Sequence, residues 1–72
     1  MELYEYIVWS SIDRGLFTYS SGMVAAYSIQ EATDKATEEC QGMLIKPKNP
    51  HITVRLWGVS SPVIWRDADG TA

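Results

Sequence analysis

The sequence predicts an α+β fold, in which an antiparallel sheet of about five strands carries one helix on one face (β-β-α-β-β-β). Residues 29–41 have a helical spacing of apolar side chains between a capping box and a glycine. The segments on either side alternate apolar and polar residues, as strands do. The chain has only 72 residues, so we expect a single domain, 1–72, with 67–72 as a flexible tail.

The first strand is predicted at residues 3–10, where LYEYIVWS is rich in β-branched and aromatic residues. Alternation divides it into two faces: Leu3, Glu5, Ile7 and Trp9 on one, and Tyr4, Tyr6, Val8 and Ser10 on the other. The segment 11–15, with an aspartate and a glycine, predicts a turn. A second strand is expected at about 16–27, with a bulge at the S-S-G of residues 20–22.

The helix is predicted by its ends as well as its period. Ser28 and Glu31 form an S-x-x-E capping box, in which each side chain is expected to bind the backbone N–H of the other residue. Gly42 is expected to end the helix in the left-handed conformation. A narrow stripe is expected to pack on the sheet, and it consists of Ile29, Ala32, Ala36 and Cys40. Four charged residues are expected to face outward: Asp34, Lys35, Glu38 and Glu39.

Three short strands are predicted after the helix, at 43–46, 51–57 and 63–66. The P-K-N-P of residues 47–50 predicts the first turn between them, and residues 58–62 predict the second. One helix cannot cover five strands, so one sheet face is expected to stay exposed. The residues predicted to lie on that face are Tyr4, Tyr6, Arg55 and Trp57.

Composition argues against several functional classes. A net charge of −3 disfavours a broad phosphate-binding surface, so no direct nucleic-acid partner is expected. Cys40 is the only cysteine and is expected to be a buried core thiol, and a thiol-reducing cytoplasm is its natural setting. No apolar run is long enough to predict a membrane span. His51 stands without a nucleophile, acidic dyad or metal-ligand spacing, so we expect neither an enzyme nor a cofactor or metal.

Two surfaces remain as candidate binding sites. The first is the acidic helix face, which could dock on a basic groove. The second is the exposed sheet face and the end of the last strand, where Trp and Arg are the types enriched at interface hot spots. The predicted partner-binding residues are Asp34, Glu38, Glu39, Arg55, Trp57 and Arg66.

One resemblance covers most of the chain. The run G-M-V-A-A-Y-S-I-Q-E-A-T-D-K-A, followed by Q-G-M-L-I and a hairpin ending near Trp65, resembles small phage-encoded anti-CRISPR proteins, in particular a type I-F inhibitor with a five-stranded sheet and one helix. That resemblance implies a non-enzymatic inhibitor that binds Cas subunits of a type I surveillance complex and blocks hybridisation with target DNA. It also implies the cytoplasm of a bacterial host. The inhibitor binds mainly through basic and polar side chains, whereas this chain is acidic, so no contact residue is transferred.

Two other functions stay open. A weaker resemblance is to the antitoxin half of toxin–antitoxin pairs, which would make the chain a regulatory protein-binding module, either a monomer or a homodimer paired through a sheet edge or the exposed face. An oligomer that sequesters a nucleotide signal in a pocket between chains is the third hypothesis. The mass of the assembly and the identity of a captured partner would discriminate among them.

Overall fold

The computed structural model describes residues 1–58 and 63–67, which form four antiparallel strands and one helix. The elements are β1 (Glu2–Ile12), β2 (Gly15–Ala26), α1 (Ile29–Gln41), β3 (Pro50–Leu56) and β4 (Ile64–Asp67). The strand order across the sheet is β2-β1-β3-β4, and α1 packs on one face. The predicted α+β class with one helix and an antiparallel sheet is therefore confirmed, whereas the prediction of five strands is not.

The hairpin of β1 and β2 is long and tightly closed. Ile12 pairs with Gly15, so the loop consists of Asp13 and Arg14 alone, and Asp13 has a positive φ of 55°. Aspartate tolerates this left-handed conformation better than most residues. The register shifts between Val8 and Trp9 and leaves Tyr19 without a cross-strand partner. The predicted bulge therefore lies just before residues 20–22.

Glycine at position 22 is explained by its cross-strand neighbour. Gly22 lies opposite Tyr6, and the Tyr6 hydroxyl is only 2.7 Å from where a Cβ atom at Gly22 would stand. The aromatic ring thus occupies the space that a side chain would need. Glycine at this position therefore makes room for Tyr6 to pack against the core, and it does not form a turn.

The helix spans the residues that its sequence predicts, but its two ends differ in detail. Ser28 Oγ accepts the Glu31 N–H at 3.1 Å, as expected. The Glu31 carboxylate accepts the N–H of Tyr27, at 3.4 Å, rather than that of Ser28. The prediction that Gly42 adopts the left-handed conformation was wrong. Its φ is −85°, and its N–H continues the helical hydrogen-bond pattern by donating to the Glu38 carbonyl at 3.0 Å.

The core lies between α1 and the face of the sheet that it covers. Eight buried residues form it: Tyr4, Val8, Ala26, Ala32, Ala36, Cys40, Ile52 and Val54. Alanines on the helix stripe allow its backbone to approach the strands closely, and Val8 and Ile52 lie opposite each other beneath it.

Tyr4 and Tyr6 lie on this covered face, so their expected position on the exposed face was wrong. Tyr4 is 7% exposed, and Tyr6 packs against the core. They share their face with Ile52, Val54 and Leu56 through the β1–β3 register. The opposite face of β1 and β3 carries a glutamate and an arginine, whose charges are costly to bury. Apart from the exposed Glu2 at the start of β1, the face that the helix covers carries no charge on these two strands.

The strand predicted at 43–46 does not form. Residues 43–49 connect α1 to β3 as a loop, in which Asn49 has a φ of 47°. The Lys48 carbonyl accepts the Ser10 hydroxyl at 2.8 Å and the Ser11 N–H at 3.3 Å. These bonds fasten the loop to the end of β1, and Pro47 has no N–H to offer a ladder.

The boundaries of the last two strands differ by one residue from the predicted ranges 51–57 and 63–66. β3 begins at Pro50, and β4 extends to Asp67, the first residue of the predicted tail. Most of the predicted turn at 58–62, and the rest of the predicted tail, lie outside the described residues. Among the described residues, no helix has the length and apolar character to cross a bilayer.

Candidate protein interface on the open sheet face

The face of the sheet that α1 leaves uncovered, here called the open face, is rich in large side chains. Strand alternation and register place on it Leu3, Glu5, Ile7, Trp9, Met23, His51, Thr53, Arg55 and Trp65. Trp65 is 50% exposed, and Val63, just before β4, is 51% exposed. Among the described residues, nothing packs over this face as α1 does over the other.

Several contacts hold the open-face side chains in place. The Trp9 indole N–H donates to Thr53 Oγ1 at 2.9 Å, and the rings of His51 and Trp65 stack with centroids 5.1 Å apart. Because these contacts order the aromatic rings before any partner arrives, less side-chain entropy is lost on binding.

One ion pair crosses the same face. Arg55 Nε donates to a Glu5 carboxylate oxygen at 2.9 Å, and the two residues are cross-strand partners in β3 and β1. The Arg55 side chain is 53% exposed. An exposed pair of this kind contributes little to stability, so a change in its contacts on binding would cost the fold little.

A shallow groove of about 290 Å³ runs beside this ion pair. It is lined mainly by Glu5, Ile7, Trp9, Thr53, Arg55 and Val63. This volume is at the lower limit of small-molecule sites, which are usually more enclosed. The groove therefore suits one apolar side chain of a protein partner, with Arg55 and Glu5 available for polar contacts at its rim.

The predicted binding residues fall on different surfaces. Arg55 lies on the open face, and Trp57 follows β3 with 54% of its surface exposed. Arg66 instead lies on the helix side, where its Nη1 donates to Asp34 Oδ1 at 2.7 Å and to Thr37 Oγ1 at 3.4 Å. Asp34 and Arg66 thus form an ion pair that ties α1 to β4.

The acidic helix face is smaller than the sequence suggests. Asp34 is paired with Arg66, and Glu31 is paired with Lys35 at 3.3 Å. Only Glu38 and Glu39 remain there without an ion pair within residues 1–58 and 63–67. Nearby, the pKa of Tyr6 is raised, first by burial and then by the negative charge of Glu39.

Sequence reasoning did not include Trp9 and Glu5 among the candidate binding residues. The alternation of residues 3–10 puts Trp9 on the same predicted face as Glu5 and Ile7, and this was the sequence signal that could have included Trp9 among the candidates. What the sequence does not contain is the β1–β3 register, which places Glu5 beside Arg55 and brings Trp9 to Thr53.

Cys40 is buried at 2% exposure, as its position on the helix stripe predicts. Burial raises the pKa of its thiol, and the positive charge of Lys46 partly opposes that rise. A thiol with a raised pKa holds little thiolate at neutral pH and is a weak nucleophile. Within the described residues, no three His, Cys, Asp or Glu side chains are placed to hold a metal ion.

Because the pKa of the Cys40 thiol is raised, the stability of the fold is expected to decrease with pH in the alkaline range. Above about pH 8.5 the unfolded chain releases the thiol proton while the folded chain retains it, so stability falls as the pH rises. We expect the thermal midpoint to fall less between pH 8 and pH 10 in Cys40→Ala than in the unsubstituted protein, as measured by circular dichroism. Parallel pH profiles would contradict this assignment.

Comparisons with protein-family models, with curated proteins and with solved structures find no significant match to this chain. Its function therefore has to be argued from its own surfaces.

Proposed function

We propose that this protein is a non-enzymatic inhibitor that binds another protein through its open face. The observation that carries the proposal is the uncovered sheet face, where Trp9 and Arg55 line a small apolar groove and Trp65 lies on the same face, opposite Thr53. Soluble monomers rarely expose large contiguous apolar patches unless the patch binds something. Trp and Arg are also the residue types that contribute most to binding energy at protein interfaces.

A protein partner suits this face better than a small molecule or nucleic acid. The groove is open and holds a single side chain, and its only charges among the described side chains are those of Glu5 and Arg55, which neutralise each other. A nucleic-acid surface would need a cluster of lysines and arginines to neutralise phosphates. A side chain of a protein partner, inserted beside the ion pair, meets both apolar walls and a polar rim.

For the target, we propose the Cas subunits of a type I CRISPR surveillance complex in the bacterial cytoplasm. This part of the proposal rests on the resemblance of residues 22–36 and 41–45, and of the following hairpin, to small anti-CRISPR proteins. By docking on those subunits, the protein would block hybridisation of the surveillance complex with target DNA. It would need no cofactor and no direct contact with nucleic acid.

Affinity capture from a bacterial lysate tests both parts. The tagged protein is used as bait beside two variants: Trp65→Ala with Arg55→Ala on the open face, and Glu38→Lys with Glu39→Lys on the helix. We expect the unsubstituted protein and the helix variant to retain Cas subunits, identified by mass spectrometry. The open-face variant should lose them, with affinity at least about 30-fold weaker.

The other outcomes are equally informative. Loss of the partner in the helix variant alone would reject the open face and assign the site to Glu38 and Glu39. Capture of one small toxin through the open face would keep the site and replace the Cas target with the antitoxin function. A circular dichroism spectrum recorded for each variant establishes that a loss of binding is not a loss of fold.

A further inference from the structure

We infer that two copies of this chain pair through the outer edge of β2, so that their sheets join across a twofold axis. β2 is an edge strand in the order β2-β1-β3-β4 and is 12 residues long. This inference goes beyond the proposed function and does not depend on it, because the paired edge and the open-face groove are different surfaces.

The hydrogen-bond pattern of β1 shows which groups of β2 face outward. The Trp57 N–H donates to the Leu3 carbonyl at 3.0 Å, so the backbone of Leu3 faces β3. Antiparallel ladders alternate, so the backbone of Ala25, opposite Leu3, faces away from β1. The same alternation turns the backbone groups of Met23 and Ser21 outward and, beyond the bulge, those of Thr18 and Leu16.

These outward groups have almost no partner within the described part of the chain. The Ala25 carbonyl accepts Lys35 Nζ at 2.7 Å, which agrees with its outward direction. No hydrogen bond within residues 1–58 and 63–67 reaches the outward backbone groups of Ser21 and Met23. They form a row of backbone donors and acceptors with which another extended strand can pair.

The two edges of the sheet differ in the features that usually prevent such pairing. β4 has four residues and carries Arg66 and Asp67, so that edge is short and charged. β2 contains none of the chain's six Lys and Arg or nine Asp and Glu, and it contains no proline. Natural edge strands avoid pairing by being short, charged or interrupted by proline, whereas β2 has only its bulge and the Lys35 ammonium at the Ala25 carbonyl.

A second copy is the occupant that β2 fits best. Antiparallel pairing of identical strands about a twofold axis matches each uncharged position with another uncharged position, although the whole chain has a net charge of −3. An axis at Met23 places Met23 beside its own copy and Ser21 beside Ala25. The Ala25 carbonyl has two lone pairs, so it can accept the partner's N–H while Lys35 stays in place.

Apolar side chains are also exposed beside this edge. Phe17 is 57% exposed and Tyr19 43%, and the Tyr19 hydroxyl donates to the Ile45 carbonyl at 2.7 Å. Ile45 itself is 79% exposed. An axis at Met23 pairs residues 20–26 of the two strands, so these side chains lie beside the paired stretch and not within it.

Analytical ultracentrifugation of the full chain tests the inference. We expect a mass of about 16 kDa, twice the 8.1 kDa of one chain. Met23→Lys should give 8.1 kDa at the same concentration, with dimer affinity at least about 100-fold weaker, because two lysines then meet at the axis. The variant should still fold, since Met23 pairs with Glu5 in the sheet, where a lysine is tolerated.

Val63→Lys is the matched control, because it makes the same kind of change on the open face but away from the β2 edge. It should leave the dimer intact. Dissociation by Val63→Lys but not by Met23→Lys would overturn the edge pairing in favour of contact between open faces. A monomer at the highest concentration, or a mass above two chains, would also overturn it.

Amide hydrogen exchange supplies a readout that does not depend on a variant. In the dimer, the outward N–H groups of Ser21 and Met23 are hydrogen-bonded and should exchange slowly, and dilution should speed their exchange. Exchange that is fast at every concentration would contradict the inferred ladder even if a dimer exists.

Discussion

Replacing Ile52 by alanine is expected to lower the free energy of unfolding by about 2–5 kcal/mol. Ile52 is fully buried between Val8 on β1 and the helix, so the substitution removes apolar contacts and leaves a cavity. A domain of this size has roughly 4–11 kcal/mol of stability in total, so the loss is a large share of it. Urea denaturation followed by circular dichroism measures the change.

Val63→Ala provides the comparison for that experiment. Val63 is 51% exposed, so its truncation should change the free energy of unfolding by no more than about 0.5 kcal/mol. Equal losses at the two positions would mean that Ile52 does not lie in the core. The comparison also shows whether open-face substitutions leave the fold intact, as the capture experiment requires.

Ala36→Leu is expected to destabilise the protein by about 1–3 kcal/mol through overpacking. Ala36 is fully buried on the stripe by which α1 lies on the sheet, and a leucine there must push the helix away from the strands. The Asp34–Arg66 ion pair depends on the same docking, so it would be strained as well. Thermal and urea unfolding both report this loss.

The control for Ala36→Leu is Glu38→Leu, which introduces the same side chain at an exposed position of the same helix. It should change stability by no more than about 0.5 kcal/mol. If both variants lost the same stability, the effect would come from leucine in the helix and not from the close approach of α1 to the sheet.

The helix was predictable because its signals are local. The Ser28 cap, the spacing of Ala32, Ala36 and Cys40, and the glycine at its end all lie within 15 residues, and the structure confirms the bounds. The conformation of Gly42 was not predictable in the same way. Whether it enters the left-handed region depends on where residues 43–49 run next, and that path is set by contacts with β1.

The strands were predictable in period but not in orientation. Alternation separated Glu5 from Tyr4 and Tyr6 correctly, yet it does not say which set lies under the helix. The segment 43–46 is apolar enough to suggest a strand, but Pro47 and the bonds of the Lys48 carbonyl to β1 make it a loop. Long-range contacts decided both points.

The sequence by itself determined the class of fold, the single helix with its buried stripe, and the uncharged character of β2, because these depend on residue types and short spacings. Only the tertiary structure decided that Arg66 neutralises Asp34, that Glu5 meets Arg55 beside a groove, and that β2 lies at an edge of the sheet formed by the described residues. Strand order and register bring together residues far apart in the chain, and no local pattern encodes those pairings. The candidate interface therefore emerged from the sheet, and the acidic helix face predicted from the sequence became the smaller surface.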